Sequence, residues 1–338
     1  MQKTRNMSNL TKSIRAKFGD EVLGLMVILI LVVLLFSSTN SQFLTAANFN
    51  SMSFQLPVLG LLTLAMLAPL LSAGLNLAII YQANLCGLTL AWVLNMDGGI
   101  DASITTFVIG VIAAIVVGAL TGLIMGVVIS YIGAHPILVS LAMMIFLRGL
   151  GVFLTDGGDI SGFPEFMGPI GHGFILGIPI PLIIFLLVAL VWNIVLNSTR
   201  HGFSIYMLGS NIEATDFSGV HTKRTLTLIY VFSGVICAIA GILMLTRFNS
   251  VRVGHGEALL LVTVLACFLG GVDPFGGFGR VVPVVISLII LQMIASGLNL
   301  FGASQHLSTA VWGLSLILVM MVRYIIIKYK FFSSDKGG

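Results

Sequence analysis

The stretch SAGLNLAIIYQAN, Ser72 to Asn84, lies in the middle of an apolar run of about forty residues and decides how the chain is threaded. A helix that crosses a hydrocarbon core of ~30 Å uses roughly 20 residues, so one helix cannot absorb the run. It must break, and Gly74 and Asn76 mark the place. Glycine accepts the left-handed backbone that ends helices, and an asparagine amide can hydrogen-bond freed backbone groups. The same Gly-Leu-Asn-Leu core returns at Gly297 to Leu300, at the outer end of a later apolar segment. In a chain rich in Gly and Leu the repetition itself carries no inference, and both copies are read as helix endings.

Composition sets the class. Of 338 residues, 58% are hydrophobic and 8% are charged, with a mean hydropathy of +1.11, far outside the range of soluble domains. The reading is an all-α polytopic membrane protein with about ten transmembrane helices, built as a single transmembrane domain over 1–338. Apolar runs between polar or Gly/Pro breaks place the spans at 22–37, 54–73, 77–95, 104–132, 136–154, 178–196, 225–246, 257–270, 281–300 and 307–327. The eighth is short, and the 73–77 break is the least sharply marked.

Lys and Arg placement orients the bundle, because cytoplasmic segments carry the excess. With the N-terminus inside, the basic tail 1–21, the connection 197–224, Arg280 and the tail 328–338 fall in the cytoplasm, and Arg247 and Arg252 fall outside. The outer loops 96–103 and 155–177 hold Asp97, Asp101, Asp156, Asp159 and Glu165 without Lys or Arg. The run at 22–36 is too long for a signal-peptide core and is read as the first helix. Cys86, Cys237 and Cys267 lie in apolar spans, where they act as small hydrophobes.

The span 104–132 carries Gly110, Ala114, Gly118, Gly122 and Gly126 at four-residue spacing, a flat strip on one helix face. Such strips let backbones approach closely in lipid, and a contact within the chain is expected ahead of a dimer seam. At the break, Asn76, Tyr81, Gln82 and Asn84 cluster. They either cap a buried turn or line a solute path, since broken helices at membrane depth are tolerated only when buried in protein or facing a cavity. Arg148, Gln292 and Asn299 are further candidates for the path. Arg148 could face a polar cavity, pair with a carboxylate, or snorkel outward.

Catalytic chemistry is missing from the sequence. There is no phosphate-binding loop, no HExxH, no CxxC and no paired carboxylate within a span. Neither a metal site, a cofactor nor a nucleic-acid partner is expected, and a lone intramembrane Arg without an acidic relay argues against proton coupling.

The cytoplasmic connection Asn197 to Arg224 is longer than a plain hairpin. Within it, Ser210 and Asn211 read as helix starters, Glu213 as a first-turn acid and Gly219 as a stop, so a short surface helix presents Ile212 and Phe217. Here the chain resembles the permease subunits of bacterial ABC importers for simple sugars, of the ribose, arabinose and xylose type. Thr199, Gly202, Gly209, Asn211, Ala214 and Gly219 match that family's pattern residue by residue. His135 to Gly158 and the series Glu257, Gly270, Gly271, Gly276, Gly277 and Gly279 are similar to further family segments, so the resemblance covers nearly the whole chain.

The resemblance implies a helical bundle of the type II importer kind in the bacterial cytoplasmic membrane. It also implies docking of an ATP-binding cassette subunit at Gly202, Gly209, Asn211, Glu213, Ala214, Phe217 and Gly219, delivery by an extracytoplasmic solute-binding protein, and a second permease subunit. One departure stands out: Asn76 replaces an acidic residue and Ala78 a serine. It leaves a nucleoside or amino acid open beside a carbohydrate and makes pairing with a different permease plausible. An autonomous secondary transporter and a passive channel are the competing classes. The first lacks an ion-coupling relay, and the second has no use for the patterned loop.

Overall fold

The computed structural model describes residues 20–334; the basic tail through residue 19 and the last four residues lie outside the described part. The described chain is helical nearly throughout. The helices are α1 (Asp20–Thr39), α2 (Ala46–Leu71), α3 (Ile79–Met96), α4 (Ile104–Val127), α5 (Pro136–Thr155), α6 (Gly168–His172), α7 (Ile180–Ser198), α8 (Arg200–Ser210), α9 (Ile212–Phe217), α10 (Thr222–Phe248), α11 (Leu259–Leu269), α12 (Val281–Leu300) and α13 (Gln305–Ser334). Eight of them, α1 to α5, α7, α10 and α12, are long and apolar enough to cross a membrane. The segment read as an eighth span at 257–270 is an 11-residue helix, α11, and the last segment contributes a shorter apolar helix over His306–Met321. The glycines flanking α11 account for its length: Gly254, Gly256 and Gly271 adopt left-handed backbone at φ +89, +79 and +84, a conformation that ends helices.

Local chemistry explains where helices start. Thr45, Ser103, Thr199 and Asn211 cap α2, α4, α8 and α9, each side-chain oxygen accepting an amide of the first turn. Asp97 closes the loop before α4. Its carboxylate accepts the Thr106 hydroxyl at 2.6 Å and the Ser103 amide at 3.0 Å, and these bonds hold it below the ordinary carboxylate range.

Burial identifies the axis of the bundle. The apolar window of α2 is 89% buried and that of α10 67%, whereas α1 reaches 17%. Helix α10 packs against α2, α3 and α4, and it does so backbone to backbone. A Cβ on Gly118 would lie 2.4 Å from the Gly234 carbonyl oxygen, one on Gly122 2.2 Å from that of Tyr230, and one on Gly126 2.8 Å from that of Thr227. The same helix meets α3 through Gly241, whose added Cβ would stand 2.0 Å from the Ala83 carbonyl. From Gly118 to Gly126 the strip on α4 therefore lies against α10 of the same chain, and at Gly110 it meets Leu90 and Val93 of α3.

Outside the helices, two short antiparallel pairs tie the outer loops. β1 (Ile160–Ser161) pairs with β4 (Ser250–Val251), and β2 (Phe174–Ile175) with β3 (Ile178–Pro179). A ring nitrogen of His172 bonds the Arg247 carbonyl at 2.7 Å, and Asn249 accepts the Phe163 amide at 3.1 Å. The long outer loop is thus fastened to the end of α10.

Gly118→Leu and Gly122→Leu are expected to destabilise the purified protein by more than the ~1–3 kcal/mol of ordinary overpacking, since the atoms in the way are backbone and cannot swing aside. Thermal denaturation in detergent reads this; melting like wild type would put the strip against lipid.

Candidate functional site

The break after α2 is closed by two crossed bonds, Gly74 N–H to the Pro69 carbonyl at 2.8 Å and Ala73 N–H to that of Leu70 at 3.1 Å, the pairing that terminates helices through a left-handed residue. That residue is Ala73, at φ +60, and not Gly74 as the sequence suggested. Gly74 answers a different need: a Cβ there would lie 2.6 Å from the Tyr230 hydroxyl.

Asn76 organises the turn. Its Oδ1 accepts the Ala78 amide at 3.0 Å, and its Nδ2 donates to Gln82 Oε1 and to Ser233 Oγ, each at 2.9 Å. The Ser233 hydroxyl donates to the Ala65 carbonyl at 2.7 Å, Gln82 donates to Thr121 at 3.1 Å, and Thr121 donates to the Gly118 carbonyl at 3.0 Å. One network thereby joins α2, the break, α3, α4 and α10. Asn76, Gln82 and Ser233 have no exposed surface, and each is bonded as burial requires. In this arrangement Asn76 and Gln82 bond to protein partners around the break. Asn84 is buried as well, 3% exposed. A neutral amide suits the position, because a carboxylate there would be a buried charge without a cation.

Two other candidates face a cavity. A space of about 390 Å³ opens among α2, α10, α11, α12 and α13, lined among others by Gln55, Arg247, His255, Gln292, Asn299 and Trp312. Its size falls in the range of small-molecule sites. The Gln292 amide donates to Gln55 at 3.2 Å, His255 packs tilted against Phe248 at 4.7 Å between ring centroids, and Arg247 donates to the Phe54 carbonyl at 2.5 Å. Gln55 and His255 escaped the sequence reading because neither stands in a motif; only the fold brings them beside Gln292. Arg148 and Tyr81 form a separate group. Arg148 pairs with Glu257 at 3.7 Å, and its guanidinium stands 5.9 Å from the Tyr81 ring centroid.

The connection 197–224 contains two helices, α8 and α9, where one short helix was expected. Asn211 separates them by ending α8 in extended backbone and capping α9. Phe217 is 93% exposed, Glu213 and Ala214 are exposed beside it, and Gly219 follows at φ +80 with open space around it. Gly202 and Gly209 do something else. An added Cβ on Gly202 would meet the Leu196 carbonyl at 2.2 Å, and one on Gly209 the Leu71 carbonyl at 2.0 Å and the Gly277 amide at 2.3 Å. Gly277 itself donates to Leu71 at 2.9 Å, and Tyr206 donates to the Gly279 carbonyl at 2.8 Å. Burial raises the Tyr206 phenol above its usual range, with Arg280 pulling the other way, so it remains a donor at neutral pH. Helix α8, the loop 273–279 and the end of α2 are one packed unit. The exposed Phe275 and Phe278 beside it were not singled out in the sequence, where they read as loop residues among glycines.

A polytopic bundle with a sealed helix break, an outer cavity and a presented cytoplasmic helix has the build of a membrane transport permease. A sequence model described as branched-chain amino acid transport system / permease component matches residues 48–320, and the chain belongs to that family. Among curated relatives, the autoinducer 2 import system permease protein LsrD of Yersinia enterocolitica is 28% identical over 322 residues, covering 93% of this chain and 94% of the relative. The ribose import permease protein RbsC of Bacillus subtilis is 30% identical over 322 residues, covering 95% and 98%. No solved structure matches the chain.

Asn76→Ala should lower stability by ~1–3 kcal/mol, because Ser233 and Gln82 lose a buried partner. Detergent melting temperature tests this; a variant that melts like wild type would mean that the network does not hold the break.

Proposed function

We propose that this chain is the membrane-spanning subunit of an ATP-driven importer of the cytoplasmic membrane and forms the path of a small carbohydrate. The observation that carries the reading is likeness to a ribose import permease along nearly the whole of both chains. The outer cavity supports it chemically. Amide donors and acceptors from Gln55, Gln292 and Asn299 beside the Trp312 and Phe248 rings suit a neutral solute with several hydroxyls and apolar ring faces.

Hydrolysis belongs to a separate ATP-binding subunit, and delivery to an extracytoplasmic binding protein. A second permease copy or homologue completes the path. The ATP-binding subunit docks on α9, with Phe217 as its apolar anchor. Gly209, wedged between Leu71 and Gly277, passes displacement of α8 to the end of α2, next to the break.

The reading predicts that the purified chain shows no ATPase activity and that vesicles containing it alone do not accumulate labelled ribose or other monosaccharides; uptake without an ATPase would make it a secondary transporter. Phe217→Asp and Gly219→Val are expected to insert normally and abolish ATP-driven uptake. The first removes the anchor, and the second forces a branched residue into left-handed backbone. Co-purification with the ATPase together with vesicle uptake checks both, and wild-type behaviour of both variants would place coupling elsewhere.

A further inference from the structure

Lys223 and Arg224 stand in the first turn of α10, and neither is ion-paired among the described residues. The Lys223 ammonium lies instead 5.7 Å from the centroid of the Tyr131 ring. Both cations line a cavity of about 210 Å³ together with Tyr131, Asp216, His221 and Thr222. Asp216, the carboxylate in this wall, accepts the Thr222 hydroxyl at 2.9 Å. Lys223 and Arg224 together outweigh it, so the cavity is positive at neutral pH.

Helix length places this cavity at the edge of the bilayer. Helix α10 has 27 residues, and α4 with the π turn Val128–Ile132 that prolongs it spans 29. At ~1.5 Å per residue each measures roughly 40 Å, the thickness of the hydrocarbon core together with both headgroup layers. Ser130 and Thr227 join the two helices near their shared end through a 2.8 Å bond between hydroxyls. That end lies at headgroup level, where tyrosine is favoured.

An apolar furrow leads from the cavity into the hydrocarbon. Gly118, Gly122 and Gly126 meet Gly234, Tyr230 and Thr227 in turn, so α4 and α10 run antiparallel along a tight seam. One step past the contact, side chains of both helices turn to the same side of that seam. On α4 these are Leu123 and Val127, 41% and 38% exposed, and on α10 Leu228, 36% exposed, with Val231 half-buried. The other side is closed, since Thr121, Met125, Ile229 and Ser233 are buried. Tyr131 stands one turn beyond Val127, and Arg224 one turn before Leu228, so both open rows end at the cavity.

We propose that cavity and furrow together hold one anionic phospholipid, its phosphodiester between Lys223 and Arg224 and an acyl chain along Leu123, Val127 and Leu228. A guanidinium matches phosphate oxygens as a planar fork, and basic pockets between membrane helices select anionic headgroups. A zwitterionic lipid would bring its own ammonium into a cavity that is already positive. A soluble phosphate would leave the furrow unused. The site is separate from the solute path, and its occupancy does not depend on which solute is carried.

In the test, the full chain is reconstituted in phosphatidylcholine vesicles doped with phosphatidylglycerol that carries a photoactivatable group on its acyl chain. Mapped cross-links should concentrate on 120–131 and 222–231 and fall when unlabelled phosphatidylglycerol is added. Lys223→Gln combined with Arg224→Gln should lower them by on the order of tenfold, whereas Arg252→Gln, past the other end of α10, should not. Leu228→Trp keeps both charges but fills the furrow, and it should lower them as well. Wild-type melting in detergent identifies the variants that are folded, and Leu228→Trp decides if the charge variant is not. Equal cross-linking by the corresponding phosphatidylcholine would overturn the proposal, as would unchanged cross-linking in the folded variants. Displacement of the labelled lipid by inorganic phosphate would overturn it too, by making the cavity a site for a soluble anion.

Discussion

The structure depends on how closely α10 approaches its neighbours. In lipid, apolar surface gains little by leaving the solvent, so packing and hydrogen bonds must hold helices together. Here both are concentrated on one element. Gly234 and Gly241 let α10 touch the backbones of α4 and α3, and Ser233, next to Gly234 in the same helix, is the branch point of the buried network through Asn76. Close approach and polar closure reinforce one another. The network reaches its partners because no side chains hold the backbones apart, and it fixes the register in which the glycines meet.

That arrangement explains why the helix break can be dry. A turn at membrane depth exposes amides and carbonyls that cost several kcal/mol if unpaired. The crossed bonds at Ala73 and Gly74 satisfy the end of α2, Asn76 satisfies the Ala78 amide, and Gly277 takes up the Leu71 carbonyl from the cytoplasmic side. The last of these bonds reaches beyond the break. It joins the break to the loop 273–279 and to α8, so the cytoplasmic surface and the centre of the bundle are mechanically continuous through backbone contacts that have little slack.

The outer half is built differently. Segment 252–258 is irregular, left-handed at Gly254 and Gly256, and carries polar groups on both of its sides. His255 borders the cavity, and Glu257 meets Arg148. Irregular backbone is tolerated at membrane depth where it is buried in protein or lines a cavity, and here it borders open space, in contrast with the closed break a few helices away. The inner half holds shape, and the outer half offers polar surface.

Several features were legible in the amino-acid sequence because they depend on local chemistry or on composition. The membrane class, the position of most helices, the break near Gly74, the α4 strip and the cap and stop at Asn211 and Gly219 all follow from hydropathy, spacing and backbone preference, which act over a few residues. Other features were decided only by the tertiary structure. Whether Asn76 and Gln82 face solute or each other depends on Ser233 and Thr121, which lie 157 residues from Asn76 and 39 from Gln82 along the chain. The same holds for the pairing of Arg148 with Glu257 and for the gathering of Gln55, Gln292 and His255 around one cavity. No local pattern encodes these meetings, because they are set by which helices glycine allows to touch. Segment 257–270 shows the same limit: its hydropathy marks it as apolar, and only the packed fold shows that its helix is 11 residues long.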